Sequence, residues 1–365
     1  MKTRFPYTSR AEWLSLIRQS LNGKEINTLD LEIEPGLSIS PFQHLEDLQS
    51  HQTYPLGGKS QMLEIGAILT PSPSADLVQD IKDSLNFGAN VLQLPYDILS
   101  QNDRLEHIFT GVHLPFTHIE FYPYKQISIQ QRIEAESLWV DFLQRDQNTL
   151  PLSTLFHWSP KTFVRRYEMA GAPPFHTKTS TSLTRWVQID IELTTPSEGI
   201  SEAMAEMVRL YEMRIWSEEE FMSRIVLSLT PSNNFLINIA SVRALKIVLA
   251  NVMEELQLSE FELPILSSTI TEEPIRTDVR LEYIPLTYKA MSVILGGVNR
   301  IFVRASQNTG ESRRITLNLL HLLTLESQFN VVQDPAAGSY YLERMTKEIA
   351  TQSWNKLHQK LYVND

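Results

Sequence analysis

From Gln61 onward, short runs of β-prone apolar residues alternate with longer stretches whose apolar positions recur at helical spacing. The runs are Met62 to Leu69, Asn90 to Leu94, Thr117 to Tyr122, Leu152 to His157, Trp186 to Ile191, Arg224 to Leu229, Leu263 to Ser267 and Arg300 to Val303. Several are almost continuously apolar, the pattern of parallel strands buried on both faces, and the stretches between them are long enough for crossover helices. Helical periodicity predicts helices over Ala75 to Phe87, Ile129 to Leu143, Ser201 to Arg214, Phe235 to Leu256, Leu286 to Leu295 and Ser312 to Ser327. A final helix, Leu342 to Leu361, is expected to close or cover the structure they form. Ser74 is placed to cap the first helix and Gly88 to end it, while Gly296-Gly297 marks the end of the fifth.

Strands that alternate with helices predict an α/β fold. Met62 to Ser327 spans about the roughly 250 residues typical of a (β/α)8 TIM barrel, and the Gly-rich first turn of an open doubly wound sheet is missing. A (β/α)8 barrel is therefore expected over residues 61–365, with an N-terminal arm over 1–60 as a subunit contact. The arm reads as an amphipathic stretch Arg10 to Leu21, a turn at Asn22-Gly23, an alternating run Leu29 to Ile33, and breakers at Pro35-Gly36 and Pro55 to Gly58. No fixed-period repeat points to a solenoid.

Composition narrows the classes. With 365 residues and 42% hydrophobic content the chain can fill one large core. A net charge of -11 argues against nucleic acid and anionic membrane as partners, since both demand clustered Lys and Arg. The absence of cysteine excludes disulfides, thiolate zinc sites and a cysteine nucleophile, and fits a reducing, cytoplasmic setting. Met1 to Arg10 is polar and broken by Pro6, unlike a signal peptide, and no uninterrupted apolar run suggests a membrane span.

Phosphate-binding glycine motifs are missing, and Gly57-Gly58 and Gly296-Gly297 read as turns. The nine histidines include no H-E-x-x-H; His113 and His118 come nearest to a cluster, and no metal is expected. In a barrel the reactive groups sit at the C-terminal ends of strands, which brings forward Thr70, Tyr96, Tyr122, His157, Glu192, Thr230, Ser268, Thr269 and Arg304. His157 can donate to a carbonyl or exchange a proton, or it is a hydrogen-bonded structural histidine beside Trp158. Arg224, Arg243, Arg276, Arg304 and Arg314 offer forked donors to an acidic ligand, or serve as ordinary salt-bridged side chains. The substrate-binding shortlist is Arg224, Arg243, His157 and Arg304, with no catalytic residue assigned. Lys161, Arg165 and Arg166 follow the Ser159-Pro160 helix start and read as a charged outer face, whereas the loop Ala170 to Ser182 reads as a binding loop or lid.

The stretch VVQDPAAGSYYLERMTKEIATQSW, Val331 to Trp354, resembles the D-P-x-G-G-S-Y-x-x-E signature that follows the barrel in methylmalonyl-CoA mutases, with Ala337 in place of a glycine. SRRITLNLLHLLTLES (Ser312 to Ser327) resembles the family's S-x-R-I-A-R-N-T-Q helix, and KAMSVILGG (Lys289 to Gly297) its E-A-x-A-A-x-x-G-G helix. NNFLINIASVRALKIVLANV (Asn233 to Val252) is similar to N-F-x-x-E-I-A-K-x-R-A-x-R-x-L-W, MSRIVLSL (Met222 to Leu229) to the strand P-R-L-S-F-F, and FPYTSRAEWLSLIRQSLNGK (Phe5 to Lys24) to the small-subunit opening. The resemblance implies the same barrel.

Departures from the family pattern fall on its chemistry. IGAILTPSPSADL (Ile65 to Leu77) lacks the arginine and tyrosine of R-Q-Y-A-G-F, and IDIELTTPSEGI (Ile189 to Ile200) lacks the tyrosine and histidine of Y-H-x-x-E-A-G-A. SSTITE (Ser267 to Glu272) replaces H-C-Q-T-S-G, and the arginine of L-R-T-T falls at Pro285. The D-x-H-x-x-G motif that supplies a cobalt-ligating histidine is absent, and no cobalamin domain is expected after the signature. Arg224 and Arg243 match basic family positions, Arg224 as a coenzyme A phosphate contact, although Val226 replaces the neighbouring serine. The resemblance thus implies a non-catalytic small subunit that binds no cofactor itself and stabilises a catalytic large subunit of methylmalonyl-CoA mutase, which carries adenosylcobalamin. The alternative it implies is an acyl-CoA-binding subunit that works with a separate cobalamin-binding chain.

Overall fold

All eight apolar runs become strands of one closed parallel barrel. The structure, a computed structural model, describes residues 7–48, 63–70, 76–100, 102–145, 153–171, 183–258, 263–272 and 278–362. Leu31–Glu34 (β1) and Leu37–Ile39 (β2) form an antiparallel hairpin ahead of the barrel. The barrel strands are Glu64–Ile68 (β3), Val91–Pro95 (β4), His118–Tyr122 (β5), Ser153–Trp158 (β6), Leu183–Glu192 (β7), Ile225–Thr230 (β8), Ile265–Thr271 (β9) and Arg300–Arg304 (β10). Their hydrogen-bonded order, β10-β3-β4-β5-β6-β7-β8-β9, closes the sheet so that no barrel strand keeps an open edge.

The two faces of the strands divide the apolar surface. Ile65, Leu92, Ile119, Phe121, Leu227, Leu229 and Ile301 belong to the main core, shared with the surrounding helices. Ile68, Val91 and Phe302 form a separate small cluster in the lumen, with Tyr122 against it. Phe302 fits there because Gly66 stands opposite: a Cβ at Gly66 would lie 2.0 Å from Cε1 of Phe302. The barrel is thus filled by side chains, as expected at this strand number.

Local chemistry explains most helix ends, and tertiary contacts explain the exceptions. Asp76 caps the helix Leu77–Asn86, accepting from Val78 N at 3.0 Å; Ser74, the expected cap, lies outside the described residues. Gly297 ends the helix Tyr283–Gly296 at φ 88°, a left-handed cap that a side chain would strain. The helix expected from Ser201 begins instead at Pro196. Its extra turn is anchored from far away: Glu34 accepts the Ser197 backbone N–H at 2.9 Å and the Ser197 hydroxyl. A carboxylate there satisfies orphan donors and opposes the positive end of the helix dipole.

The final helix, Tyr340–Tyr362, packs on the helices Pro196–Glu212 and Phe235–Glu255, so it covers the helical layer. Phe235–Glu255 is long and apolar enough to cross a membrane, but it is mostly buried here as a core helix between barrel and final helix. The described part of the arm also docks on its own chain. Ile33, Leu37 and Ile39 of the hairpin are buried, and Lys356 on the final helix pairs with Glu34 at 3.1 Å. The helix Arg10–Ser20, started by a Ser9/Glu12 capping box, buries no residue.

Candidate functional site at the barrel mouth

The lumen is built from charges that the apolar strands carry at inward positions. Arg300 is fully buried; its Nε donates to Glu64 Oε2 at 2.5 Å and its Nη1 to Glu120 Oε1. Gln93 Nε2 donates to Glu120 Oε2 at 2.9 Å, and His157 Nε2 meets the same oxygen at 3.0 Å. Burial pushes the Glu120 carboxyl upward, but Arg300, the His157 hydrogen bond and Gln93 outweigh it and hold it at about 2. An ionised carboxylate therefore sits in the middle of the barrel, paired as a buried charge must be.

His118, at the start of β5, belongs to the lower part of the same network. Its Nε2 lies 3.1 Å from Glu64 and its Nδ1 2.7 Å from the Ser153 hydroxyl. Burial drives its pKa down to about 4; Glu64 opposes the shift, while Arg300 and Arg185 reinforce it.

His157, on β6 toward the C-terminal end, is the upper member. Its Nε2 is held by the ionised Glu120, which fixes the ring's orientation from below. Nδ1 has no hydrogen-bond partner among the described residues, and the side chain is 9% exposed. His157 is thus anchored from below by Glu120, the hydrogen-bonded histidine of the two readings.

Arg304 closes β10, two residues beyond Phe302 and on the same lumen face. It stands near Tyr122: burial raises the Tyr122 phenol to about 12 against the pull of the Arg304 charge. The Tyr122 hydroxyl donates to Leu69 O at 3.0 Å. Among the described residues Arg304 makes no ion pair or hydrogen bond. Because β10 and β6 lie four strands apart in the closed order, Arg304 and His157 flank the mouth from opposite sides.

The other two shortlisted arginines are elsewhere. Arg224 precedes β8, at the end away from the mouth; Nη2 pairs with Glu220 at 2.8 Å and Nη1 donates to Thr184 O at 2.7 Å. Arg243 lies on the helix Phe235–Glu255 and binds Asp334 at 3.0 Å, Glu343 at 2.8 Å and the Thr346 hydroxyl at 2.8 Å. Asp334 and Glu343 are the two acids of the D-P-A-A-G-S-Y-Y-L-E stretch, and Glu343 also accepts Gly338 N at 3.0 Å. Here the signature works as a clasp between the final helix and the core.

Among the remaining strand-end residues, Thr70 accepts from Asn308 Nδ2 at 3.2 Å and Ser268 donates to Leu229 O at 2.9 Å. Tyr96 turns to the outer layer, where Arg132 donates to its hydroxyl at 3.1 Å. Most of the loop Ala170 to Ser182, and Gly57-Gly58, lie outside the described residues. No group of three metal-ligating side chains occurs among the described residues. Sequence reasoning missed Glu64, Gln93, Glu120 and Arg300. The available signal was the presence of charged residues inside strands that are otherwise continuously apolar, where a charge needs an opposite partner.

These features define a (β/α)8-barrel protein whose lumen is closed by paired charges beneath a polar mouth. Residues 201–360 match the methylmalonyl-CoA mutase family model. Over 96% of its length it is 22% identical to the methylmalonyl-CoA mutase small subunit of Porphyromonas gingivalis, covering 62% of that protein. It is 25% identical to methylmalonyl-CoA mutase of Rhizobium meliloti over 42% of this chain and 23% of that one. The chain therefore spans less than two thirds of the length of these curated relatives. Among solved structures, triosephosphate isomerase from Bartonella henselae is matched at 11% identity and a TM-score of 0.38, covering 72% of this chain and 99% of that one.

Proposed function

We propose that this chain is a catalytically silent small subunit of a methylmalonyl-CoA mutase, stabilising a catalytic large chain that carries adenosylcobalamin. The observation that carries the reading is small-subunit similarity along 96% of the chain, combined with family-pattern segments stripped of their polar groups. The segment Ile189 to Ile200 has neither the tyrosine nor the histidine of the family pattern. The residues present also do not fit cobalamin, since no D-x-H-x-x-G occurs in the 365 residues. Protein side chains do not replace that cofactor in radical chemistry, so turnover belongs to the partner. The lumen supports the same reading, because Arg300, Glu120 and Phe302 occupy it with their own pairing and packing.

Coexpression tests the proposal. The large chain is expected to co-purify with this one and to gain thermal stability from it; two chains that stay separate at micromolar concentration refute the assignment.

A second reading, acyl-CoA binding in concert with a separate cobalamin-carrying subunit, is favoured by one observation. Arg224 Nε and Arg185 Nη1 are buried and have no hydrogen-bond partner among the described residues, and Arg185 feels the charge of Arg224. Unmatched guanidinium donors suit phosphate oxygens. Calorimetry with succinyl-CoA separates the readings, since heat at millimolar ligand that is lost in Arg224→Met favours the second.

A further inference from the structure

The turn that follows the helix Arg10–Ser20 carries Asn22-Gly23, the single Asn-Gly pair in the 365 residues. Asn22 ends the helix in the left-handed region at φ 49°, a conformation asparagine tolerates, and Gly23 follows at φ 86°. Both residues are exposed, and beyond the chain neighbours no heavy atom lies within 4 Å of where a Gly23 Cβ would stand. The flanking N–H groups turn back to the chain, Asn22 to Gln19 O at 3.5 Å and Lys24 to Leu21 O at 3.1 Å. The Gly23 N–H does not reach the helix carbonyls before it, all of which are described. We propose that Asn22 is a modification site, losing its side-chain amide to attack by the Gly23 nitrogen and ageing into aspartate and isoaspartate.

The chemistry needs a side-chain amide, the next backbone nitrogen and water. Hydroxide takes the Gly23 amide proton and the nitrogen attacks Asn22 Cγ. The new N–Cγ bond closes a succinimide ring, the Cγ–Nδ2 bond breaks, and Nδ2 leaves as ammonia with a proton from water. A second water opens either carbonyl of the ring, giving aspartate where the original backbone is kept and isoaspartate where the chain runs through Cγ. The net change is hydrolysis of one amide, with nothing oxidised or reduced. Glycine matters because it has no Cβ to shield its nitrogen and its backbone rotates toward the attack geometry at little cost. Three asparagines of the barrel differ in both respects. Asn90 accepts Ile65 N at 2.8 Å, Asn299 accepts Leu266 N at 2.7 Å and Asn308 donates to Ile68 O at 2.9 Å, and each precedes a residue with a side chain, Val91, Arg300 and Thr309. The product also sets a carboxylate at the C-terminal end of Arg10–Ser20, where the helix dipole disfavours negative charge. This inference does not depend on the partner-subunit reading, because it is tested on the chain alone.

The experiment incubates the full chain in mildly alkaline buffer, folded and in guanidinium chloride, and follows position 22 by peptide mapping with mass spectrometry. An exposed turn opens at almost no cost, so the folded chain is expected to convert Asn22 at a rate within about tenfold of the unfolded one. Ion exchange should show an acidic species growing in step, while Asn90, Asn299 and Asn308 stay intact in the folded chain. Asn22→Gln, whose longer side chain closes a larger and less favourable ring, should suppress that species. Conversion in the folded chain more than about tenfold slower than in the unfolded one overturns the proposal, because the turn is then held closed. So does an acidic species that grows equally fast in Asn22→Gln, or conversion of Asn90, Asn299 or Asn308 ahead of Asn22.

Discussion

Arg243 and Asp334 are joined through two guanidinium nitrogens, Nε at 3.2 Å and Nη2 at 3.0 Å, although 91 positions separate them in the chain. With Glu343 added at 2.8 Å, a buried arginine on the core helix gathers two acids of the segment that leads into the final helix. Arg243→Met leaves both carboxylates without their cation and should destabilise the fold by about 3–5 kcal/mol, the cost of breaking a buried pair from one side. Urea unfolding checks this. A loss well under 1 kcal/mol would show that the clasp adds nothing to stability.

Two lumen groups make stability depend on pH in separate windows. Glu120 titrates at about 2 in the folded chain against an ordinary 4.5, so its contribution is complete above about 4.5 and drains away as pH falls through 2. His118 is held neutral, at about 4 against an ordinary 6.5, so the unfolded chain takes that proton first and stability falls as pH drops from 6.5 toward 4. In unfolding curves taken from pH 7 to 2, Glu120→Gln should flatten the lower limb and His118→Asn the upper one. Unchanged limbs in both variants would remove the lumen network as their origin.

Gly66→Ala places a methyl group 2.0 Å from a ring carbon of Phe302 inside a filled barrel. Overpacking of this kind costs about 1–3 kcal/mol. The companion change Phe302→Leu should recover much of it in the double variant, a coupling that a double-mutant cycle measures directly. Strictly additive losses would mean that the two residues do not meet.

Glu34→Ala removes the acceptor for Ser197 N and the partner of Lys356 at once. Loss of a helix cap costs about 0.5–2 kcal/mol, and here the hairpin loses its anchor to the helices as well. Limited proteolysis should cut faster between Arg10 and Ile39 in the variant, while the barrel survives. Equal cleavage rates would show that Ile33, Leu37 and Ile39 hold the hairpin without Glu34.

The strands were legible because burial on both faces forces nearly continuous apolar runs, as in Ile225 to Leu229, where Ser228 is the one polar residue, and those runs stand out locally. Helix ends were legible where the cap is a neighbour, as at Gly297, and illegible where it comes from afar. The helix beginning at Pro196 takes its acceptor from Glu34, 163 positions away, and no local pattern records that. The candidate site divides the same way. His157 and Arg304 could be named from strand-end position, but Arg243 could not be told from a ligand-binding arginine until Asp334 and Glu343 were seen beside it.

Periodicity by itself determined that this chain forms eight strands with helices between them, because side-chain alternation and apolar spacing act over a few residues. Only the closed barrel decided which charges meet. Glu64, Gln93, Glu120, His157 and Arg300 come from five different strands, and their pairing depends on register and closure. A charge inside an apolar run announces that it needs a partner, and only three-dimensional proximity in a low-dielectric interior chooses which one.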